Sequence, residues 1–304
     1  MAQSPNDLRD ARFLLDVDTR PLNPVPPTIL TTAAAMRRWR AANSGSCGFV
    51  PTMGYLHDGH LELVRRSIEE NLHTVVSIFV NPMQFGPNED FSRYPRDEVR
   101  DLAQLSAAGV DAVYLPNAHD MYPEGYQTYV DVERVTQPLE GSARPGHFRG
   151  VTTVVLKLFN AVGADRAYFG RKDAQQLRVV QRMVRDLDVG TEIVPCPIVR
   201  EPDGLAMSSR NVYLSAEQRA AATVLKRSLD LVADRWAAGE RDADALRRLV
   251  RDTIATEPLA EVDYVSLADD ISLEELHGRA ERPALLSLVV KFGKTRLLDN
   301  VELA

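Results

Sequence analysis

Pro51-Thr52-Met53-Gly54-Tyr55-Leu56-His57-Asp58-Gly59-His60 lies where an apolar, strand-like run, Cys47 to Val50, gives way to a helix-patterned run, Leu61 to Leu72. A helix start offers unpaired backbone N–H groups and the positive end of the helix dipole, so it attracts phosphate. Two histidines there can donate hydrogen bonds to phosphate oxygens as negative charge builds on them. Gly59, between them, has no side chain and lets the backbone approach a ligand closely. The combination reads as a nucleotide triphosphate site. Alone, the H-x-x-H spacing is a weak signal, because a histidine near a helix start is usually just a partly exposed polar residue. Metal binding is the other option, but no third His or Cys lies nearby in sequence, and Cys47 belongs to the apolar strand pattern.

Two later junctions share this chemistry. Gly170-Arg171-Lys172-Asp173 follows the short apolar strand Ala167 to Phe169 and precedes a helix-like run from Ala174. A lysine at such a junction can reach a phosphate as a mobile point charge, while Asp173 could cap the helix or orient a ribose or the lysine itself. The stretch Asp203 to Asn211 is small and polar; Ser208, Ser209 and Arg210 supply donors suited to a triphosphate, and Gly204 lets the loop bend over it. Each segment alone fits a solvated turn. Three donor-rich junctions in one chain point to one site.

Working outward, apolar strands alternate with helices of about three turns. Strand-like runs fall at Cys47 to Val50, Thr74 to Val80, Ala112 to Leu115, Ala167 to Phe169 and Glu192 to Val199. Helical runs fall at Leu61 to Leu72, Glu98 to Ala108, Val151 to Val162 and Ala174 to Leu187. This alternation predicts an α/β fold, a doubly wound, Rossmann-like parallel sheet, with ligands at the carboxyl ends of the strands. After Arg200 the pattern changes. Helices over Ala216 to Ala238 and Asp242 to Ala255 precede strands near Val262 to Leu267, Ala284 to Phe292 and Thr295 to Leu298, which describes a smaller α+β unit. The expected division is a flexible, proline-bearing extension over 1–27, a nucleotide-binding domain over 28–199, and a lid domain over 200–304 that swings Ser208, Ser209 and Arg210 onto the nucleotide. Asp97, Glu98 and Asp101 could assist a metal ion that accompanies the nucleotide, but surface helix charge is the preferred reading.

Composition agrees. With 304 residues, 44% of them hydrophobic, the chain can bury a substantial core. Its net charge of -7 argues against a nucleic-acid partner. Two cysteines, Cys47 and Cys196, both in apolar runs, suggest a reducing interior without a disulfide framework. The first ten residues lack the apolar stretch of a signal peptide, and no run of about 18 apolar residues exists to span a bilayer. A cytoplasmic protein without a membrane partner is expected.

The P-T-M-G-x-L-H-x-G-H stretch, then Ser77 to Phe85 with its Asn81-Pro82-Met83-Gln84-Phe85 block, then Gly170-x-Lys172-Asp173-x-Gln175-Gln176, then Met207-Ser208-Ser209-Arg210-Asn211, and finally Thr295 to Asn300, resemble the pantoate–β-alanine ligases in sequence and in order. The likeness covers nearly everything from about Thr28 onward. The H-x-G-H core alone would indicate only the wider nucleotidylyltransferase superfamily, and another member acting on a small phosphorylated metabolite is the alternative. The resemblance implies ATP-dependent condensation of D-pantoate with β-alanine through a pantoyl adenylate, with Mg2+ travelling with ATP, no tightly bound organic cofactor, and a homodimer formed through the first domain. It also implies roles. His57, His60, Lys172, Ser208, Ser209 and Arg210 act on the phosphates. The ATP site adds Met53, Gly54, Tyr55, Leu56, Asp58, Gly59, Gly170, Arg171, Asp173, Val199 and Met207. Gln84 and Gln176 hold pantoate, and Gln84 also meets β-alanine. Phe79 and Phe169 could wall the gem-dimethyl group, and the loop Arg144 to Phe148 receives no role. No residue is expected as a direct metal ligand. Arg171 and Ala174 depart from the family pattern, and Tyr55 and Asp58 are milder replacements.

Overall fold

The computed structural model describes residues 25–87 and 89–304, so most of the extension expected over 1–27 lies outside the described residues. Six strands, β1 (Thr28–Leu30), β2 (Cys47–Thr52), β3 (His73–Ile78), β4 (Ala112–Tyr114), β5 (Arg166–Gly170) and β6 (Glu192–Cys196), form one parallel sheet in the order β1-β4-β3-β2-β5-β6. Alternate residues along each strand enter different cores. Phe49, Val75, Ala112 and Ala167 face the helices α1 (Ala33–Ala42), α6 (His147–Val162) and α7 (Ala174–Asp186), with two single-turn helices, α4 (Ala118–Met121) and α5 (Glu140–Ala143), between β4 and α6. Their neighbours Val50, Val76, Val113 and Tyr168 face α2 (Asp58–Glu70) and α3 (Glu98–Ala108). A period of two with both faces apolar is the signature of a strand covered on both sides.

A second core lies between α9 (Val224–Ala237), α10 (Ala243–Ala255) and a three-stranded antiparallel sheet of β7 (Glu261–Asp269), β8 (Ala284–Phe292) and β9 (Thr295–Leu303). The odd-numbered positions of β9, such as Leu297 and Leu303, pack into that core. The even-numbered positions turn the other way, and Arg296, Asn300 and Glu302 bond to Glu140, Lys172 and Arg171 of the first unit.

Several elements differ from expectation. α2 begins at Asp58 rather than Leu61, because His57 takes an extended N-cap conformation and its carbonyl accepts from His60 and Leu61. Both histidines therefore sit in the first turn of the helix. β9 runs on to Leu303, five residues past the expected end. The helix expected over Ala216 to Ala238 is split into α8 (Ala216–Ala221) and α9 by a break at Ala222 and Thr223, with no Gly or Pro to mark it. The pair β1 and α1 adds to the expected elements; Thr32 caps α1 by accepting from Ala35.

Candidate active site

β2 has β3 on one side and β5 on the other, so the chain winds outward one way through β3 and β4 and the other way through β6. Loops leaving the two central strands diverge at such a reversal and leave a crevice. Here the loops after β2 and β5 border a cavity of about 730 Å³, within the range of about 300 to 1,000 Å³ usual for small-molecule sites.

The loop after β2 turns sharply through two consecutive left-handed residues, Gly54 (φ 80°) and Tyr55 (φ 51°). Asp101 on α3 holds that turn. Its carboxylate accepts from the Tyr55 N–H at 2.7 Å and the Leu56 N–H at 2.8 Å, and it is 1% exposed. Desolvation raises its pKa against the pull of those donors. The reading of Asp101 as surface charge is thus corrected: it faces inward from α3 because the loop's amides need an acceptor. Asp97 is the N-cap of α3, accepting from Arg100.

The turn delivers the two imidazoles side by side, with ring centroids 4.1 Å apart. The His57 backbone N–H donates to His60 Nδ1 at 3.3 Å, which leaves the proton of a neutral His60 ring on Nε2. His57 Nδ1 is buried without a partner. Desolvation, then the charge of Lys172, lowers the His57 pKa to about 4. Desolvation, then His57 and Lys172, hold His60 well below its ordinary value. At neutral pH both rings are uncharged N–H donors rather than acids. Gly59 has a further use here, because a Cβ on it would stand 2.9 Å from two atoms of the His57 ring.

Across the cavity, Lys172 projects from the turn after β5, with Nζ 3.7 Å from Asp173. Ser209 Oγ donates to the Tyr55 carbonyl at 3.3 Å, tying its loop to the one after β2. Arg210 forms a two-pronged pair with Asp90 at 3.0 and 3.1 Å and lies 5.6 Å from the centre of the Tyr94 ring. At the other end, Gln84 closes a short turn over Pro82–Gln84 that packs directly on α6. Only glycine fits at 150, since a Cβ there would lie 2.3 Å from the Met83 carbonyl oxygen. Asn81 donates to Gln84 Oε1 and to the Gly150 carbonyl, both at 3.1 Å. Arg144 and His147 donate to the Gln84 carbonyl at 3.2 and 2.8 Å. Burial, then the Arg144 charge, brings His147 down to about 4, consistent with a neutral donor.

The cavity wall includes Met53, His57, Gly59, His60, Gln84, Gly170, Lys172, Asp173, Gln176, Val199, Met207, Ser208, Ser209 and Arg210, together with Phe79 and Phe169. Five predicted residues stand off it. Gly54 and Tyr55 form the turn behind the wall, Leu56 is fully buried in the core, and Asp58 is exposed. Arg171 turns away to an ion pair with Glu302 on β9. Sequence reasoning missed Asp101, Asn81 and Asp90; only Asn81 lay in a quoted block. Of the two adjacent glutamines, Gln176 faces the cavity, whereas Gln175 is buried and serves the Glu140 N–H and the carbonyls of Val135 and Pro138.

A parallel sheet with paired histidines at a helix start, set at its reversal point and faced by a lysine and a serine–arginine loop, defines the chain as an α/β enzyme of the H-x-G-H nucleotide-binding type. Comparison with known proteins then narrows the class. A model of the pantoate-beta-alanine ligase family matches residues 28–302, and the chain belongs to that family. It is 60% identical over 272 residues to the pantothenate synthetase of Roseiflexus sp. (strain RS-1), covering 90% of this chain and 98% of that one. The crystal structure of pantothenate synthetase from Thermus thermophilus matches with a TM-score of 0.86 and 47% identity, covering 91% of this chain and 99% of that one. The pantoate-beta-alanine ligase of Francisella tularensis, complexed with beta-gamma ATP and beta-alanine, matches with a TM-score of 0.74 and 32% identity over 90% of this chain and 97% of that one.

Proposed function

We propose that the cavity described above carries out both steps of pantoate–β-alanine ligation, with ATP along the start of α2 and the acid between Gln84 and Gln176. The family's reaction condenses D-pantoate with β-alanine at the expense of ATP. A carboxylate oxygen of pantoate attacks the α-phosphorus, the bond from that phosphorus to the bridging oxygen breaks, and pyrophosphate leaves. The amine of β-alanine then attacks the acyl carbon of the adenylate, the bond from that carbon to the phosphate-linked oxygen breaks, AMP leaves with that oxygen, and the nitrogen gives up a proton as the amide forms.

The first step needs alignment and charge stabilisation far more than covalent help. His60, with its proton fixed on Nε2, and His57 are neutral donors for the phosphate oxygens. Lys172, Ser208, Ser209 and Arg210 counter the charge that builds as pyrophosphate departs, and Arg210 exchanges part of its bond to Asp90 for phosphate. The amides of Gln84 and Gln176 serve a hydroxyl or a carboxylate without adding charge. Gln84 also meets β-alanine, and Phe79 and Phe169 shelter the gem-dimethyl group. Mg2+ enters with ATP, held mainly by phosphate oxygens and water; among the described residues no group of three or more His, Cys, Asp or Glu is arranged to hold a metal. The carrying observation is that the imidazole pair, Lys172 and the Ser208–Arg210 loop border one cavity although up to 153 positions separate them in sequence, from His57 to Arg210.

The unit beyond residue 199 acts as a lid carrying Ser208, Ser209 and Arg210. A homodimer through the first unit is supported by a half-buried tyrosine cluster whose outer member, Tyr129, is exposed, with Lys157 over Tyr126 at 4.9 Å and Arg149 over Tyr129 at 4.2 Å. The two buried thiols, both free, fit a cytoplasmic setting. No helix among the described residues is long and apolar enough to cross a membrane. The direct test is AMP formation from ATP, expected to require D-pantoate and β-alanine together. AMP release that ignores pantoate would overturn the assignment of the acid site.

A further inference from the structure

β9 alternates between two duties, and two adjacent residues on it reach both sides of the phosphate site. Asn300 is 4% exposed and on the even-numbered face. Its side-chain amide donates to the Arg171 carbonyl at 3.0 Å and to the Lys172 carbonyl at 2.8 Å. Both amide protons are thereby spent on the turn that carries Lys172. Asp299 is 1% exposed and points the opposite way. Its carboxylate grips Arg200 with two bonds, at 2.7 and 3.0 Å. Arg200 in turn donates to the Gly204 carbonyl at 3.0 Å, and bridges to Ala206 across the small hairpin that leads into Ser208.

Resting on the site reading above, we infer that Asp299 and Asn300 are positioning residues, fixing Lys172 and the Ser208–Arg210 loop at a set spacing across the polyphosphate. Neither lines the cavity. The two loops come from different strands and have no continuous secondary structure joining them. One rigid strand bonded to both supplies the distance that alignment for in-line displacement requires. The short serine side chains cannot correct a displaced backbone without giving up a hydrogen-bond angle, and the lysine can do so only by leaving its favoured rotamer.

The test is a pair of double-mutant cycles read by pantoate-dependent ATP–pyrophosphate exchange, which reports adenylation without β-alanine. Asn300→Ala is expected to slow exchange by about 10- to 100-fold, the scale of a misplacement near 1 Å. The KM for β-alanine in the full reaction stays within about twofold, because its contacts are at the other end of the cavity. In the Lys172→Ala background, Asn300→Ala adds almost nothing, since the group it places is gone. Asp299→Asn behaves the same way against Ser209→Ala. If Asn300→Ala does not fold, Asn300→Ser retains one donor and is expected to give a smaller loss that is equally absent without Lys172. Losses that multiply in the double variants, or exchange unchanged in the single ones, overturn the inference while leaving the site reading intact. Normal exchange in Lys172→Ala alone overturns the site reading itself.

Discussion

The two sheets serve the cavity by different physical means. The parallel sheet offers strand ends from which loops fan out at the reversal between β2 and β5, so its reacting groups ride on turns and a helix start. The antiparallel sheet offers the broad face of β9, whose alternate residues reach across to Glu140, Lys172 and Arg171. Burial follows the same division. His57, His60 and His147, the imidazoles pushed toward neutrality, all belong to the first unit. The ties across from the second include ionic and amide ones, Arg296 to Glu140 at 2.9 Å, Arg171 to Glu302, Arg178 to Asp270 and Glu302, and Asn300 to two carbonyls, alongside the Ser209 hydroxyl on the Tyr55 carbonyl and Leu273 and Leu285 packed into the first core. The candidate imidazoles and Lys172 gather where the first sheet reverses, while the second unit brings Ser208–Arg210 and is tied down on the first through β9.

The largest effect that would separate these duties comes from the second core. Leu288, fully buried there, is expected on replacement by Ala to cost about 2 to 5 kcal/mol of stability by denaturant unfolding, with the KM for pantoate nearly unchanged in the folded enzyme. A large rise in that KM would blur the division. His60→Ala, on the first side, should lose about 2 to 4 kcal/mol of transition-state stabilisation in the exchange assay, the scale of one preorganised donor, with little change in melting temperature. Gly59→Ala comes next. The added Cβ must push the His57 ring from its 2.9 Å approach, and kcat should fall about tenfold while the KM for β-alanine holds.

Acidity gives a smaller, signed contrast. His57 and His147 titrate near 4 when folded and near 6.5 when unfolded. Between those values the unfolded chain binds more protons, so stability present above pH 6.5 is lost as pH falls toward 4. The melting temperature should decline over that window, less so in His57→Asn. For the same reason kcat/KM should show no acid limb near 6.5 from these rings. Smallest of all is Arg171→Gln. Its ion pair with Glu302 is 45% and 33% exposed, so the loss should stay below about 1 kcal/mol, and ATP affinity should not change.

The sequence made the donors legible but not their supports. Strands announced themselves by apolar runs, and the H-x-x-H pair, Lys172 and Ser208–Arg210 stood out as donor-rich junctions. Asp101 was unreadable because the amides it serves lie 45 and 46 positions away in the chain and its own helix looks like ordinary surface charge. Asn300 was quoted as part of a matching tail, yet its partners lie 128 and 129 positions away. α1 went unseen because Ala33 to Ala35 followed by Arg37, Arg38 and Arg40 shows little apolar stripe; only Met36 is buried. The break at Ala222 and Thr223 involves two residues with nearly helical dihedrals, which no local residue signal marks. Arg171 fell outside the site because an acid on β9, remote in sequence, captures it.

The central claim is the convergence of groups from both units on one polyphosphate, and a crystal structure with a non-hydrolysable ATP analogue measures it most directly. The account predicts phosphate oxygens about 3 Å from donors of His57 or His60, of Lys172, and of the Ser208–Arg210 loop in the same complex. A triphosphate bound with Lys172 or that loop turned away from it would contradict the account.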